Sequence, residues 1–322
     1  MGDRTLKVFS GSANPALAQE VADYLDVPLG EMALARFDDG EVRITIEESV
    51  RGEDVFIIQP TSPPVNEHLM ELLVIIDALR RASAARITAV VPYLGYARQD
   101  RKIRPREPIS SKLVANLLVA AGAHRILAVD LHAGQIWGFF DIPLDHLPSR
   151  MLLAEDLRRQ RPENLVIVSP DIGGTQRARE FAALVGAPLA IIDKRRDRPN
   201  QVREVVHVIG KVYRRRAVIV DDIADTAGTL TMAAAALLRR GVEEVAAYVT
   251  HAILSGPALA RIAQSPLREL VVTNTVALPA EKRSEKIRVI SVAPLLGEAI
   301  RRIHENRSVS DLFEAHPQPQ PV

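Results

Sequence analysis

The chain has 322 residues, of which 47% are hydrophobic and 25% charged, a length suited to about two globular domains. It contains no Cys, which excludes disulfides, thiolate nucleophiles and Cys-ligated zinc. Its 41 basic and 40 acidic side chains leave a net charge of +1, without the basic excess of a general nucleic-acid or membrane-surface binder.

In chain order, Lys7–Ser10 reads as a short strand, and Asn14-Pro15 opens a helix as cap and first-turn residue. Leu17, Val21, Tyr24 and Leu25 follow at helical spacing. Asp54–Gln59 is a compact apolar run suited to a buried strand, and Glu67–Arg81 an amphipathic helix behind an Asn66 cap. Arg86–Val91 is a strand, a helix starts near Ser110, and Arg125–Val129 is again a strand. Leu147-Pro148-Ser149 reads as a linker, with Ser149 capping a helix to about Gln160. Then come strand Leu165–Val168, helix Thr175–Val185 and strand Pro188–Ile192. Strand Ala217–Val220 precedes a helix from about Thr229 to Arg240 that Gly241 closes, then strand Glu244–Thr250 and a final helix Val292–His304.

This alternation predicts an α/β architecture of two tandem domains, 1–147 and 148–315, each a parallel-rich sheet flanked by helices. The Pro-rich tail 316–322 is expected to be disordered. Both halves hold a strand, a polar loop and a helix in succession, as a duplication would leave. Apolar runs such as Leu72–Ala78 and Ala233–Leu238 are too short to cross a bilayer. Met1-Gly2-Asp3-Arg4 lacks an apolar signal core, so the cytoplasm is the expected address. Neither a Walker A motif nor G-x-G-x-x-G occurs.

The most informative segment runs from the strand Ala217–Val220 through Asp221, Asp222, Asp225, Thr226, Ala227, Gly228 and Thr229. A buried strand here delivers two carboxylates to the edge of a sheet where α/β proteins bind ligands. The following small residues, two hydroxyls and backbone N–H groups stand at a helix start, whose positive end favours phosphate. The physical reading is a sugar-phosphate site: Asp225–Thr229 hold the phosphate, while Asp221 and Asp222 accept hydrogen bonds from sugar hydroxyls. A plain strand-to-helix turn needs a cap but not two acids upstream of it. The segment resembles the phosphoribosyl-pyrophosphate motif shared by phosphoribosyltransferases and ribose-phosphate pyrophosphokinases.

Other segments separate those two chemistries. Asp130-Leu-His132-Ala-Gly-Gln-Ile-Trp137-Gly-Phe-Phe140 resembles the signature of the ribose-phosphate pyrophosphokinase family. Arg36-Phe37-Asp38-Asp39-Gly40-Glu41, Gly95–Arg101, Ser169–Gly174 and Ile192–Arg196 agree with it in order, over about residues 5–315. The likeness is to the phosphate-activated, ADP-inhibited bacterial class. It implies two phosphoribosyltransferase-like domains. It also implies transfer of the β,γ-diphosphoryl group of ATP to the C1 hydroxyl of ribose 5-phosphate, releasing AMP, with Mg²⁺ as cofactor.

By the same resemblance, His132 and Asp171 contact the metal, and Lys194 and Arg196 stabilise the transferring group from a charged lid. Phe37 stacks on adenine while Asp39, Gly40 and Glu41 complete its pocket in a neighbouring subunit, and Arg98 and Gln99 hold ATP. The family implies a homo-oligomer, typically a hexamer, with inorganic phosphate as activator and ADP as inhibitor near Ser308–Phe313. Nucleic-acid and membrane partners are not expected.

Three features depart from the family pattern: Trp137 in place of a polar residue, the small Ala224, and a shortened loop 102–108 carrying Pro105. A phosphoribosyltransferase would lack the Asp130–Phe140 signature and the cationic lid. A non-catalytic regulatory homologue would have lost the metal or cationic pair, and a sensing regulator would need a DNA-binding module for which the chain has no room.

Overall fold

The computed structural model describes residues 4–196 and 204–313, apart from the side chains of 194–196 and 204–206. The predicted tail 316–322 lies outside the described residues. One unit takes the chain up to Pro148 and again from Val292 onward; the other runs from Ser149 to Ser291.

In the first unit, β1 (Leu6–Ser10) leads into α1 (Pro15–Leu25). Asn14 caps α1 as its sequence predicts: Oδ1 accepts the Leu17 N–H at 3.3 Å, and Pro15 occupies the first turn, where no N–H is needed. An antiparallel hairpin follows, β2 (Met32–Arg36) with β3 (Val42–Ile46). The chain then alternates β4 (Asp54–Ile58), α2 (Val65–Arg81), β5 (Arg86–Val91), α3 (Ser110–Ala121), β6 (Arg125–Val129) and β7 (Leu144–Leu147). The five-stranded parallel sheet has the order β1-β4-β5-β6-β7. Every residue of β4 is buried, as in parallel strands covered on both faces. Val55 and Ile57 share a core with Leu72 and Ile76 of α2, while Phe56 and Ile58 alternate to the other face. Full burial of each such side chain contributes roughly 1.5–3 kcal/mol. Asn66 does not cap α2; it lies inside a helix that begins one residue earlier.

The second unit contains α4 (Arg150–Arg159), β8 (Leu165–Ser169), α5 (Thr175–Val185), β9 (Leu189–Arg196), β10 (Glu204–Ile209) and β11 (Arg216–Ala224). It continues with α6 (Gly228–Arg239), β12 (Glu244–Ala252), α7 (Ala258–Gln264), β13 (Leu270–Thr273) and β14 (Ile287–Ile290). The seven strands lie in the order β10-β9-β8-β11-β12-β13-β14, all parallel except β10 on β9. From β8 the chain crosses through α5 to β9 on one side. It returns to lay β11 on the other side and then winds outward through α6. Helices on opposite faces result: Ile167, Val218 and Tyr248 pack with α4 and α5, whereas Val168, Ile219 and Val249 pack with α6. This reversal opens a crevice beyond the carboxyl ends of β8 and β11. Ser149 precedes α4 without capping it; its Oγ instead shares a 3.0 Å hydrogen bond with Thr250 Oγ1.

The last helix, α8 (Ala293–His304), overturns the contiguous division at 147/148, because it packs on α1 in the first unit. Gly297 allows the close approach, since a Cβ there would meet the Tyr24 ring. Arg301 lies 5.1 Å from the centroid of that ring, a cation–π distance. At the far end of α8, His304 Nδ1 donates to Asp54 Oδ2 at 2.8 Å and Arg86 donates to the Ile303 carbonyl at 2.9 Å. Asp54 is fully buried and also accepts Arg86 Nε at 2.7 Å.

Candidate active site

In the second unit, Asp171 sits on the exposed turn between β8 and α5. Its Oδ1 accepts the Gly174 N–H at 2.9 Å and its carbonyl accepts the Ser169 hydroxyl at 2.7 Å. A Cβ on Gly174 would stand 3.1 Å from that hydroxyl oxygen, so the glycine keeps the turn tight. Asp221 and Asp222 are not in a loop, as their sequence predicts, but in β11, which runs on to Ala224 in register with β12. Ladder hydrogen bonds outweigh the poor strand propensity of aspartate.

These carboxylates meet Arg177 from the first turns of α5. Its Nη1 is 3.4 Å from Asp221 Oδ1 and 3.2 Å from Asp222 Oδ1. The Asp222 N–H donates to Asp221 Oδ1 at 2.9 Å. Only 17% of the Asp221 side chain and 5% of that of Asp222 is exposed. Burial pushes the Asp221 carboxyl well above the usual range; the Asp222 charge adds to this, Arg177 opposes it, and the more distant Asp171 charge contributes a little more upward push. The crevice therefore concentrates negative charge that a divalent cation or sugar hydroxyls would relieve. Among the described residues no group of three or more His, Asp or Glu side chains is placed to hold a metal.

The loop 225–229, read from the sequence as a phosphate site, follows β11. Ala227 adopts φ +57°, a left-handed turn, and α6 begins at Gly228. The Ala227 carbonyl accepts the Thr231 N–H at 3.0 Å as the first helical bond, which sets the residues before Thr231 at the amino-terminal end of α6. Asp225, Thr226, Ala227, Gly228 and Thr229 are thus gathered at the positive end of α6, within the same unit as Asp171, Asp221 and Asp222.

In the first unit, the β2–β3 hairpin tip carries Phe37, Asp39, Gly40 and Glu41. The Phe37 N–H donates to the Glu41 carbonyl at 2.9 Å, the Gly40 N–H to the Phe37 carbonyl at 2.8 Å, and the Glu41 N–H to Asp39 Oδ1 at 3.1 Å. Gly40 has φ +94°, which favours glycine. The Phe37 ring is 50% exposed, with the Arg43 guanidinium 5.7 Å from its centroid, so it offers a stacking platform. Arg98 and Gln99 lie exposed in the loop after β5. Gln99 is tied to the start of α3: its carbonyl accepts the Ser111 N–H at 3.2 Å and its Oε1 the Ser110 hydroxyl at 2.5 Å. His132 is exposed just beyond β6, in a turn pinned by the Leu131 N–H donating to His146 Nε2 at 3.1 Å.

Lys194 and Arg196, expected in a charged lid beyond the strand, lie within β9, which runs on past Ile192, in register with Val206 and Glu204 of β10; their side chains lie outside the described part. Sequence reasoning missed Arg177 and Arg261. Arg177 is three residues beyond Gly174 and carries a helical charge of ordinary appearance. Arg261, on α7, donates through Nη1 to the Thr226 carbonyl at 3.0 Å, from 35 residues downstream.

Comparison with known proteins agrees with this geometry. The family model of the N-terminal domain of ribose phosphate pyrophosphokinase matches residues 6–122, and that of the phosphoribosyl synthetase-associated domain matches residues 197–314. A ribose-phosphate pyrophosphokinase of Bacillus subtilis (strain 168) is 58% identical over 312 residues, 97% of this chain and 98% of that protein. One of Corynebacterium ammoniagenes is 58% identical over 308 residues, 96% and 97% of the two chains. The crystal structure of phosphoribosylpyrophosphate synthetase from Mycobacterium smegmatis superposes with a TM-score of 0.89 at 43% identity, covering 94% of this chain and 100% of that one. By sequence over nearly its whole length, and by fold, the chain belongs to the ribose-phosphate pyrophosphokinase family.

Proposed function

We propose that the chain transfers the β,γ-diphosphoryl group of MgATP to the C1 hydroxyl of ribose 5-phosphate, yielding 5-phosphoribosyl 1-pyrophosphate and AMP. The observation that carries the reading is the second-unit crevice, where an acidic pair and a phosphate loop converge on one sheet edge. The sugar oxygen bonds to the β-phosphorus, the bridge between the α- and β-phosphates breaks, AMP leaves in line and the hydroxyl proton passes to solvent. Such transfer depends on positioning and charge neutralisation more than on covalent chemistry by the protein.

In this reading Asp225–Thr229 bind the 5-phosphate, and Asp221 and Asp222 orient the ribose hydroxyls. Lys194 and Arg196 neutralise charge on the transferring group. Phe37 stacks on adenine, with Asp39, Gly40 and Glu41 around the base; Arg98 and Gln99 hold the nucleotide. Asp171 of the second unit and His132 of the first are the groups assigned to Mg²⁺, which when bound supplies charge neutralisation on the phosphates. Oligomerisation, with a hexamer as the expected form, regulation by phosphate and ADP at Ser308–Phe313, and a cytoplasmic address belong to the same proposal. The test mixes purified protein with MgATP and ribose 5-phosphate and follows products by mass. AMP formation strictly dependent on ribose 5-phosphate supports it; no AMP, with or without added phosphate, overturns it.

A further inference from the structure

One short segment holds three consecutive carbonyls of the phosphate loop from outside. The Ala224 carbonyl accepts the Leu254 N–H and the Asp225 carbonyl the Ser255 N–H, both at 3.0 Å. The Thr226 carbonyl accepts Arg261 Nη1, also at 3.0 Å. A Cβ on Gly228 would lie 3.3 Å from that same nitrogen, so the guanidinium occupies the space a side chain at the first residue of α6 would claim. In a planar trans peptide the N–H points opposite to the preceding C=O. Fixing these three carbonyls toward 254–261 therefore turns the N–H groups of Asp225, Thr226 and Ala227 the other way. Among the described residues no carboxylate forms an ion pair with Arg261, so its charge adds to the positive end of α6.

We propose that Arg261 is a positioning residue for the ribose 5-phosphate loop. Its guanidinium fixes the Thr226–Ala227 peptide so that the loop amides face the 5-phosphate, and its charge favours a dianion there. The proposal rests on the assignment of this loop to ribose 5-phosphate.

Steady-state kinetics of the full-length enzyme test it, with KM for each substrate and kcat measured separately. Arg261→Met keeps the apolar stem and removes the donors. It should raise KM for ribose 5-phosphate about 10- to 100-fold, the loss expected for one charge-assisted hydrogen bond, and leave kcat and KM for ATP within about threefold. Arg261→Lys should fall between Arg261→Met and the wild type. Gly228→Ala crowds the guanidinium and should raise the same KM. The double variant should be no worse than its more severe single, because both act through one contact. An Arg261→Met KM for ribose 5-phosphate within about twofold of wild type, a lower kcat with unchanged KM, or additive losses in the double variant would overturn the proposal. Should Arg261→Met lose its melting transition, Arg261→Lys decides alone, a raised KM for ribose 5-phosphate with unchanged kcat supporting the proposal and a wild-type KM refuting it. A wild-type protein without ribose 5-phosphate-dependent AMP formation would instead refute the function assigned to the chain.

Discussion

Replacing Arg177 by Met should destabilise the second unit, and the loss should depend on pH. In the wild type one guanidinium nitrogen stands 3.4 Å and 3.2 Å from two carboxylates whose side chains are 17% and 5% exposed. At an effective dielectric of about 20, each pair attracts with about 5 kcal/mol, most of which offsets desolvation. Removing one member of a buried ionic group leaves the others uncompensated, at a measured cost of about 3–5 kcal/mol. For a unit of this size about 3 kcal/mol corresponds to roughly 6–12 °C in Tm.

The pH dependence of that loss follows from Asp221. Its carboxyl is already raised, Arg177 is the opposing influence, and without Arg177 it rises further. A carboxyl raised in the folded state incurs no penalty below its unfolded pKa and the full penalty above its folded one. The deficit of Arg177→Met should therefore grow as pH increases and shrink as pH falls. Adding Asp221→Asn, which removes one of the two facing charges, should restore most of the loss. Circular-dichroism melting in chelator-containing buffer across a pH series measures this. A Tm within about 2 °C of wild type at every pH, or a deficit that Asp221→Asn leaves untouched, refutes the reasoning.

Three further outcomes are expected. Asp221→Asn alone should raise Tm in metal-free buffer at neutral pH by a few degrees, about 1 kcal/mol, while abolishing diphosphoryl transfer, because Asn keeps the acceptor for the Asp222 N–H and removes the buried charge; melting and AMP assays read the two effects. Lys194→Ala should lower kcat by about 10³-fold or more, by analogy with cations that stabilise phosphoryl transfer, and activity within tenfold of wild type would remove it from that role. Asp54→Asn should cost the first unit about 3 kcal/mol by leaving Arg86 and His304 without their buried anion. The only Trp, Trp137, packs edge-on against His146 in that unit, so its fluorescence in urea titrations reports the loss.

The helices and buried strands are legible in the sequence where the signal is local. Asn14-Pro15 marks a helix start, and the apolar run of β4 a strand covered on both faces. The loop proposed to bind phosphate is legible for the same reason, since its chemistry lies within a dozen consecutive residues. What the sequence hides is pairing at a distance. The strand character of Asp221–Ala224 comes from β12, whose ladder extends β11 past the point where apolar residues stop. Arg177 reads as an ordinary helix charge until α5 is packed beside β11. Arg261 gains meaning only when α7 returns to the loop. The amphipathic pattern of α8 shows that it buries one face, but not that the face belongs to α1.

That last pairing has a consequence for how the chain is made. The face of α1 bearing Tyr24 receives its cover from a helix that follows the whole of Ser149–Ser291. The unit that begins first on the ribosome is therefore the one that is completed last. Until α8 emerges, Tyr24 has no Arg301 above it, and Asp54 waits with Arg86 but without His304. The second unit, continuous in sequence, has no such dependence. Loss of the chain from Val292 onward would thus leave its mark at the amino-terminal end of the protein, some 270 residues from the lesion.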